Sequence, residues 1–274
     1  MAKITQEQRS IYQQSIKIYK NNIDEIRKEI NTLKIVALKD KQSEPKLRFK
    51  MANQILNLIT NYCALNEISV FLLDVKNFAF LEKGRQELYE SIMNIEKIVS
   101  NYIDVPFSEY AEKLIPIKDI SDLEKLNFIK KLGYCIDLIK ENYGENTKWK
   151  WSFIEIDARY AIVSKNIFDL KKFQATDDPS EEGFRERREH LKIMQQLLFE
   201  ASHGYRDKFE FSTKDVEDLK KATDLHKALL RINQIIGDDT KIEKCKKQID
   251  FWTNILEKHL AKIEEEKKKK QLTK

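Results

Sequence analysis

Seven apolar side chains in the first forty residues, Tyr12, Ile16, Tyr19, Ile23, Ile26, Ile30 and Leu33, keep a strict four-three spacing. An average repeat of 3.5 residues holds one stripe against a neighbour along a whole helix, so such a chain builds long helices packed lengthwise. The spacing returns in Leu88, Ile92, Ile95, Val99 and Tyr102, and again in Ile242, Cys245, Ile249, Trp252, Leu256, His259 and Ile263. Six Gly and four Pro in 274 residues leave few breaks for a fold of many short strands. The expectation is an all-α protein: long antiparallel helices in one or two helical bundles with coiled-coil-like heptad packing. Short links such as 237–239 force neighbours to fold back on each other.

Caps and breakers place the boundaries. Thr5-Gln-Glu-Gln8 and Ser121-Asp-Leu-Glu124 are capping boxes, in which a hydroxyl takes the third amide while the third side chain reaches back. Ser43-Glu-Pro45 marks a turn and a restart. The helix that follows, with apolar positions from Leu47 to Ala79, is apolar on most sides and suits a bundle centre; Gly84 punctuates its boundary with the next helix. Pro106 and Pro116 make 106–120 the expected junction between a 1–105 long-helix bundle and a 121–262 C-terminal helical bundle, with 263–274 as a charged tail; a single continuous domain is the alternative. Beyond Gly144 four helical patterns read as a bundle of their own. In it Asp178 is placed as N-cap ahead of Pro179, and the helix after it ends at Gly204.

Lys plus Arg (50) and Asp plus Glu (45) nearly cancel, leaving +5. That balance fits solvated helix faces carrying both signs better than a nucleic-acid binder. The stretch 55–81 is long enough to span a bilayer, but Asn57, Asn61, Asn66, Glu67, Asp74 and Lys76 interrupt it, which reads as a buried core helix without membrane insertion. No secretory or lipidation pattern is recognisable, so the expected location is cytoplasmic. Cys63, Cys135 and Cys245 are widely separated and odd in number, as reduced core thiols would be.

Candidate chemistry is sparse. Glu200-Ala-Ser-His203 has the Glu-x-x-His spacing of carboxylate-bridged metal bundles, but only one copy is present where such a site needs two plus further carboxylates. Glu200 and His203 are therefore the weak metal candidates, and no metal or cofactor is expected. Lys148-Trp-Lys-Trp151 offers two of three tryptophans beside cations, a combination that anchors partners or stacks on bases; Trp149 is the indole expected to point outward. Basic clusters at 46–50, 185–188 and 241–247 add Arg185, Arg187 and Arg188 as partner-binding candidates, with Trp149 and Trp151. His190 is expected on an exposed face, and His259 on a seam as a register-fixing polar residue.

No phosphate-binding glycine loop or nucleophile elbow occurs. The sequence therefore leans away from an enzyme and toward a structural or adaptor protein that uses helical surfaces to hold another protein or a second copy of itself. A nucleic-acid-binding helical protein is the first alternative. An enzyme or ligand carrier with a site in the C-terminal bundle is the second.

Overall fold

The Thr5 hydroxyl accepts the Gln8 amide at 3.1 Å and the Gln8 side chain accepts the Thr5 amide at 2.9 Å, so the first helix starts where its capping box places it. The computed structural model describes residues 4–144 and 149–272, and among these it is helical with no strand. Nine α-helices follow in order: α1 (Gln6–Lys39), α2 (Glu44–Leu73), α3 (Phe78–Val99), α4 (Asp122–Tyr143), α5 (Lys150–Asn166), α6 (Leu170–Ala175), α7 (Phe184–Lys208), α8 (Val216–Ile236) and α9 (Asp239–Leu272). Two 3₁₀ turns, Phe107–Glu109 and Ala111–Ile117, lie between α3 and α4, and a π-helical turn, Phe209–Thr213, extends α7. The all-α bundle read from the heptads is the fold.

The chain divides into two compact units, one of Met1–Asn101 with Tyr110–His190, the other of Tyr102–Glu109 with Leu191–Lys274. In the first, α1 buries Ile16, Ile23, Ile30 and Ala37, each seven residues after the last, and the three isoleucines pack with Ile55, Leu58, Tyr62 and Leu65 of α2. Tyr12 meets the Ser69 hydroxyl at 3.1 Å and Arg27 donates to Tyr62 at 3.0 Å, which fixes α1 and α2 as antiparallel. α2 is the bundle centre, packed on α1, α3 and α4. It is also the one helix among the described residues long and apolar enough to cross a bilayer, and its buried Asn66 is hydrogen-bonded to Asn142 at 2.8 Å and to the Asn77 amide at 2.7 Å.

Several expected boundaries move. α2 stops at Leu73, where Asp74 takes the left-handed conformation and Asn77 caps α3, whereas Gly84 lies inside α3. A Cβ at Gly84 would sit 2.6 Å from Ile139 Cδ1, so this glycine permits close approach of α4 and breaks nothing. Neighbours are also not uniformly antiparallel. Lys131 reaches the Asn53 carbonyl, Cys135 the Leu56 carbonyl and Asn142 the Asn66 side chain, so α4 runs parallel to α2. Because α4 and α5 pack on α3, they complete the first unit, and the four patterns beyond Gly144 do not form a bundle of their own. Asp178 caps a turn through Ser180, and α7 begins only at Phe184 and runs past Gly204 to Lys208.

The second unit is simpler. Gln195 on α7 donates to Asn233 on α8 at 2.7 Å, and Lys208 pairs with Asp218 at 2.8 Å, so α7 and α8 are antiparallel. Gly237, at φ 72, turns the chain into α9, which returns along α8 with Cys245 opposite Asn233 and Trp252 beside His226. Leu191, Met194, Leu198 and Ala201 of α7, with Leu219, Leu225 and Ile232 of α8 and Trp252 of α9, are buried.

Candidate functional site

A cleft of about 760 Å³ opens between α7 and α9 with α8 as its floor. Its walls come from residues one step off the buried seams. On α7, Lys192, Gln195, Gln196, Phe199 and His203 follow each other at helical spacing beside the seam of Leu191, Met194 and Leu198. On α8, His226, Leu229 and Asn233 share one face. On α9, Lys241, Lys244, Cys245, Lys247 and Gln248 complete the lining.

The inner part is aromatic. Phe199 stacks on His203 with ring centroids 4.1 Å apart; His203 in turn meets Trp252 at 5.2 Å and His226 at 5.7 Å, and His226 meets Trp252 at 5.0 Å. Trp252 and His226 are buried, yet Phe199 is 49% exposed. Burial, with His203 nearby, lowers the His226 pKa to about 4, so its ring is neutral. Burial likewise raises the Cys245 thiol, whose sulfur receives the Asn233 amide at 3.5 Å. The Ser202 hydroxyl lies 3.0 Å from His226 Nδ1, but its proton goes to the Phe199 carbonyl at 2.7 Å. Ser202 is wholly buried, out of reach of a substrate.

The rim is basic. Lys241 pairs with Asp238 at 3.2 Å, while Lys192, Lys244 and Lys247 take part in no ion pair among the described residues. Among the described residues no carboxylate lines the cleft; Glu200, beside it on α7, accepts from Gln196 at 2.8 Å.

The residues singled out from sequence fall elsewhere, His203 excepted. Glu200 and His203 are not brought together: Glu200 holds Gln196, and His203 Nδ1 donates to the Phe199 carbonyl at 2.9 Å. Among the described residues no group of three or more His, Cys, Asp or Glu side chains is placed to hold a metal ion. Trp149 does not point outward. It is half-buried in the first unit, edge-on to Tyr143 at 6.3 Å and covered by the Arg85 guanidinium at 4.8 Å, because it packs as the residue preceding α5. Trp151 is also half-buried, with the Lys150 ammonium 5.3 Å from its ring; Lys148 lies outside the described residues.

The arginine cluster is no exposed patch either. Arg185 is exposed, Arg188 is bound to Asp177, and Arg187 is only 3% exposed, donating to Asp122 at 2.7 Å, the Glu182 carbonyl at 2.7 Å and the Thr176 carbonyl at 2.8 Å. His190 is buried as well. Its Nε2 donates to the Ser164 carbonyl at 2.9 Å, and desolvation drives its pKa to about 4. His259 sits at the π-helical turn, edge-on to Phe209 at 5.2 Å, with Nε2 donating to the Lys214 carbonyl at 3.2 Å. What the sequence reading missed is the polar and aromatic row of α7. Its one visible trace was Phe199, a large ring one step off the seam, facing the basic run 241–247.

Residues 8–260 match the TP0443 family, and the chain belongs to that family. Comparison with curated proteins and with solved structures finds no match.

Proposed function

We propose that this member of the TP0443 family is a non-enzymatic adaptor, a helical scaffold that holds a segment of another protein in the α7–α9 cleft. The observation that carries the reading is Phe199: a large ring left half exposed on the α7 wall beside the buried His226 and Trp252, inside a concave surface whose basic rim includes Lys192, Lys244 and Lys247, in no ion pair among the described residues. Half-exposed aromatics ringed by polar side chains are the usual anchors of protein recognition. Ser202 and His226 are both buried, which favours binding over turnover. The nucleic-acid alternative is weaker, since two of the basic clusters are engaged: Lys46 with Asp119 at 2.6 Å, Arg48 with Glu44, and Arg187 with Asp122. A cytoplasmic location without membrane insertion is part of the proposal, supported by the packing of α2 on three other helices.

The test is to pan a displayed library of protein segments against the whole chain, with the Phe199→Asp variant as counter-target and circular dichroism to confirm its fold. Segments retained by the parent and released by the variant support the adaptor. No enrichment, or equal retention by both, overturns it.

A further inference from the structure

Building on the adaptor reading, we infer that the segment held in the cleft is an acidic amphipathic helix, lying along α7 and α9 as a fourth member of the second unit's bundle.

The shape is that of a trough. The His203–Trp252 and Phe209–His259 contacts show that α7 and α9 advance in the same direction past one another, both antiparallel to α8. The lined stretch of α9 runs seven residues from Lys241 to Gln248, roughly 10 Å, and that of α7 eleven residues from Lys192 to His203, so the longer wall is roughly 16 Å. That equals about three turns of an incoming helix, and a three-helix layer with an open groove is what a fourth helix completes. Phe199 on the α7 wall and Leu229 on the floor, beside the His203–His226–Trp252 rings, offer apolar contact to side chains spaced three and four apart on such a helix.

The charge of the occupant follows from the rim. Lys241, Lys244 and Lys247 repeat every third residue, so like charges are neighbours on one face of α9, and Lys244 has Thr240 and Gln248 where an acid could have balanced it. Lys241 pairs with Asp238 at 3.2 Å, which leaves Lys244 and Lys247 as the charges of the row without an ion pair among the described residues. Lys192 adds a fourth cation from the opposite wall. A concave site lined by one sign of charge concentrates its field on the opposite sign, so glutamates flanking the apolar stripe of the partner would meet both walls.

Three labelled peptides of about five turns (~18 residues) test this against the full-length chain by fluorescence anisotropy. One carries a leucine stripe flanked by glutamates, the second the same stripe flanked by lysines, and the third the acidic composition with the leucines scattered. The acidic amphipathic peptide is expected to bind at least tenfold more tightly than either control, with affinity falling as salt rises. The Lys244→Glu/Lys247→Glu variant is expected to lose that binding tenfold or more and to gain affinity for the lysine peptide, a reversal that unfolding cannot produce. Equal affinity for acidic and basic peptides, indifference to the charge reversal, or no binding overturns the inference. A dimer dissolved by the charge reversal, without peptide binding, would put a second copy in the trough and also overturn it. Should the panned library yield Phe199-dependent segments that are basic or uncharged, the helix inference falls and the adaptor stands; an empty library removes both.

Discussion

Replacing Arg187 separates a recognition role from a structural one. Its guanidinium is 3% exposed and makes three charge-assisted contacts, to the Asp122 carboxylate and to the Glu182 and Thr176 carbonyls, thereby tying the turn before α7 to the start of α4. Removing one partner of a buried ion pair costs about 3–5 kcal/mol, because the remaining charge and carbonyls are left without donors. Here Lys172 still reaches Asp122 at 2.8 Å, which puts Arg187→Ala toward the low end, about 3 kcal/mol. Arg187→Lys keeps the charge but loses the planar fork and should cost about 2 kcal/mol. By contrast Arg185→Ala, at an exposed side chain, should stay within about 0.5 kcal/mol, and Arg188→Ala, which breaks a half-exposed pair, within about 1 kcal/mol. Urea unfolding followed by circular dichroism reads all four. A second readout comes from pH. Although burial alone would raise it, Lys172 and Arg187 hold the Asp122 pKa below its ordinary 3.8. The stability this supplies is complete above that ordinary value and is lost as pH falls through the lower folded value, so the acid limb of the stability curve should be shallower in Arg187→Ala. If Arg187→Ala and Arg185→Ala were equally benign, the buried-strut assignment would be refuted and the arginines would return to the role of surface patch.

Three further outcomes follow. His190, with a folded pKa of about 4 against an ordinary 6.5, contributes stability that is complete above pH 6.5 and declines as pH drops toward 4, by about 3 kcal/mol in all; His190→Gln should flatten that part of the stability–pH curve. Gly133→Ala should destabilise by about 1 kcal/mol despite its better helix propensity, because the added Cβ would lie 2.6 Å from the Tyr160 hydroxyl that donates to the Ile129 carbonyl; an increase in the unfolding midpoint would contradict this packing. Ile23→Ala should cost about 2–4 kcal/mol and Ile18→Ala under about 0.5 kcal/mol, since only the first faces α2, and similar losses at both would deny the seven-residue seam.

The heptads made the helices, their seams and the buried face of α1 legible, because periodicity records which side of a helix meets a neighbour. Capping chemistry placed the starts of α1 and α4 for the same reason, being a local contact. Gly84 and Arg187 were misread because the burial of each depends on residues distant in sequence: Ile139 on α4 explains the glycine, and Asp122 with the Thr176 carbonyl explains the arginine. The parallel pairing of α2 with α4 was not legible because the two prolines between α3 and α4 signalled interruption without direction. Phe199 was overlooked because a ring beside a seam looks like core until the opposite wall is known to stand away from it.

The lysine row of α9 carries a final consequence that sets stability against binding. Lys244, the sixth residue of α9 and past the first turn in which the backbone dipole acts, is attracted to Asp238 but lies three residues from both Lys241 and Lys247. Lys244→Glu turns two like-charged neighbours at helical spacing into oppositely charged ones, against the loss of its attraction to Asp238. Such terms amount to a few tenths of a kcal/mol apiece, two gained and one lost, so the variant should be more stable than the parent by about 0.3 kcal/mol. A residue whose replacement stabilises the fold is held there by something other than folding, as binding sites commonly are. Increased thermal stability together with loss of the acidic-peptide interaction is therefore the signature expected of a functional lysine. Increased stability with that interaction intact would make Lys244 one more solvated charge on an outer helix face, and the basic rim would no longer argue for an acidic partner.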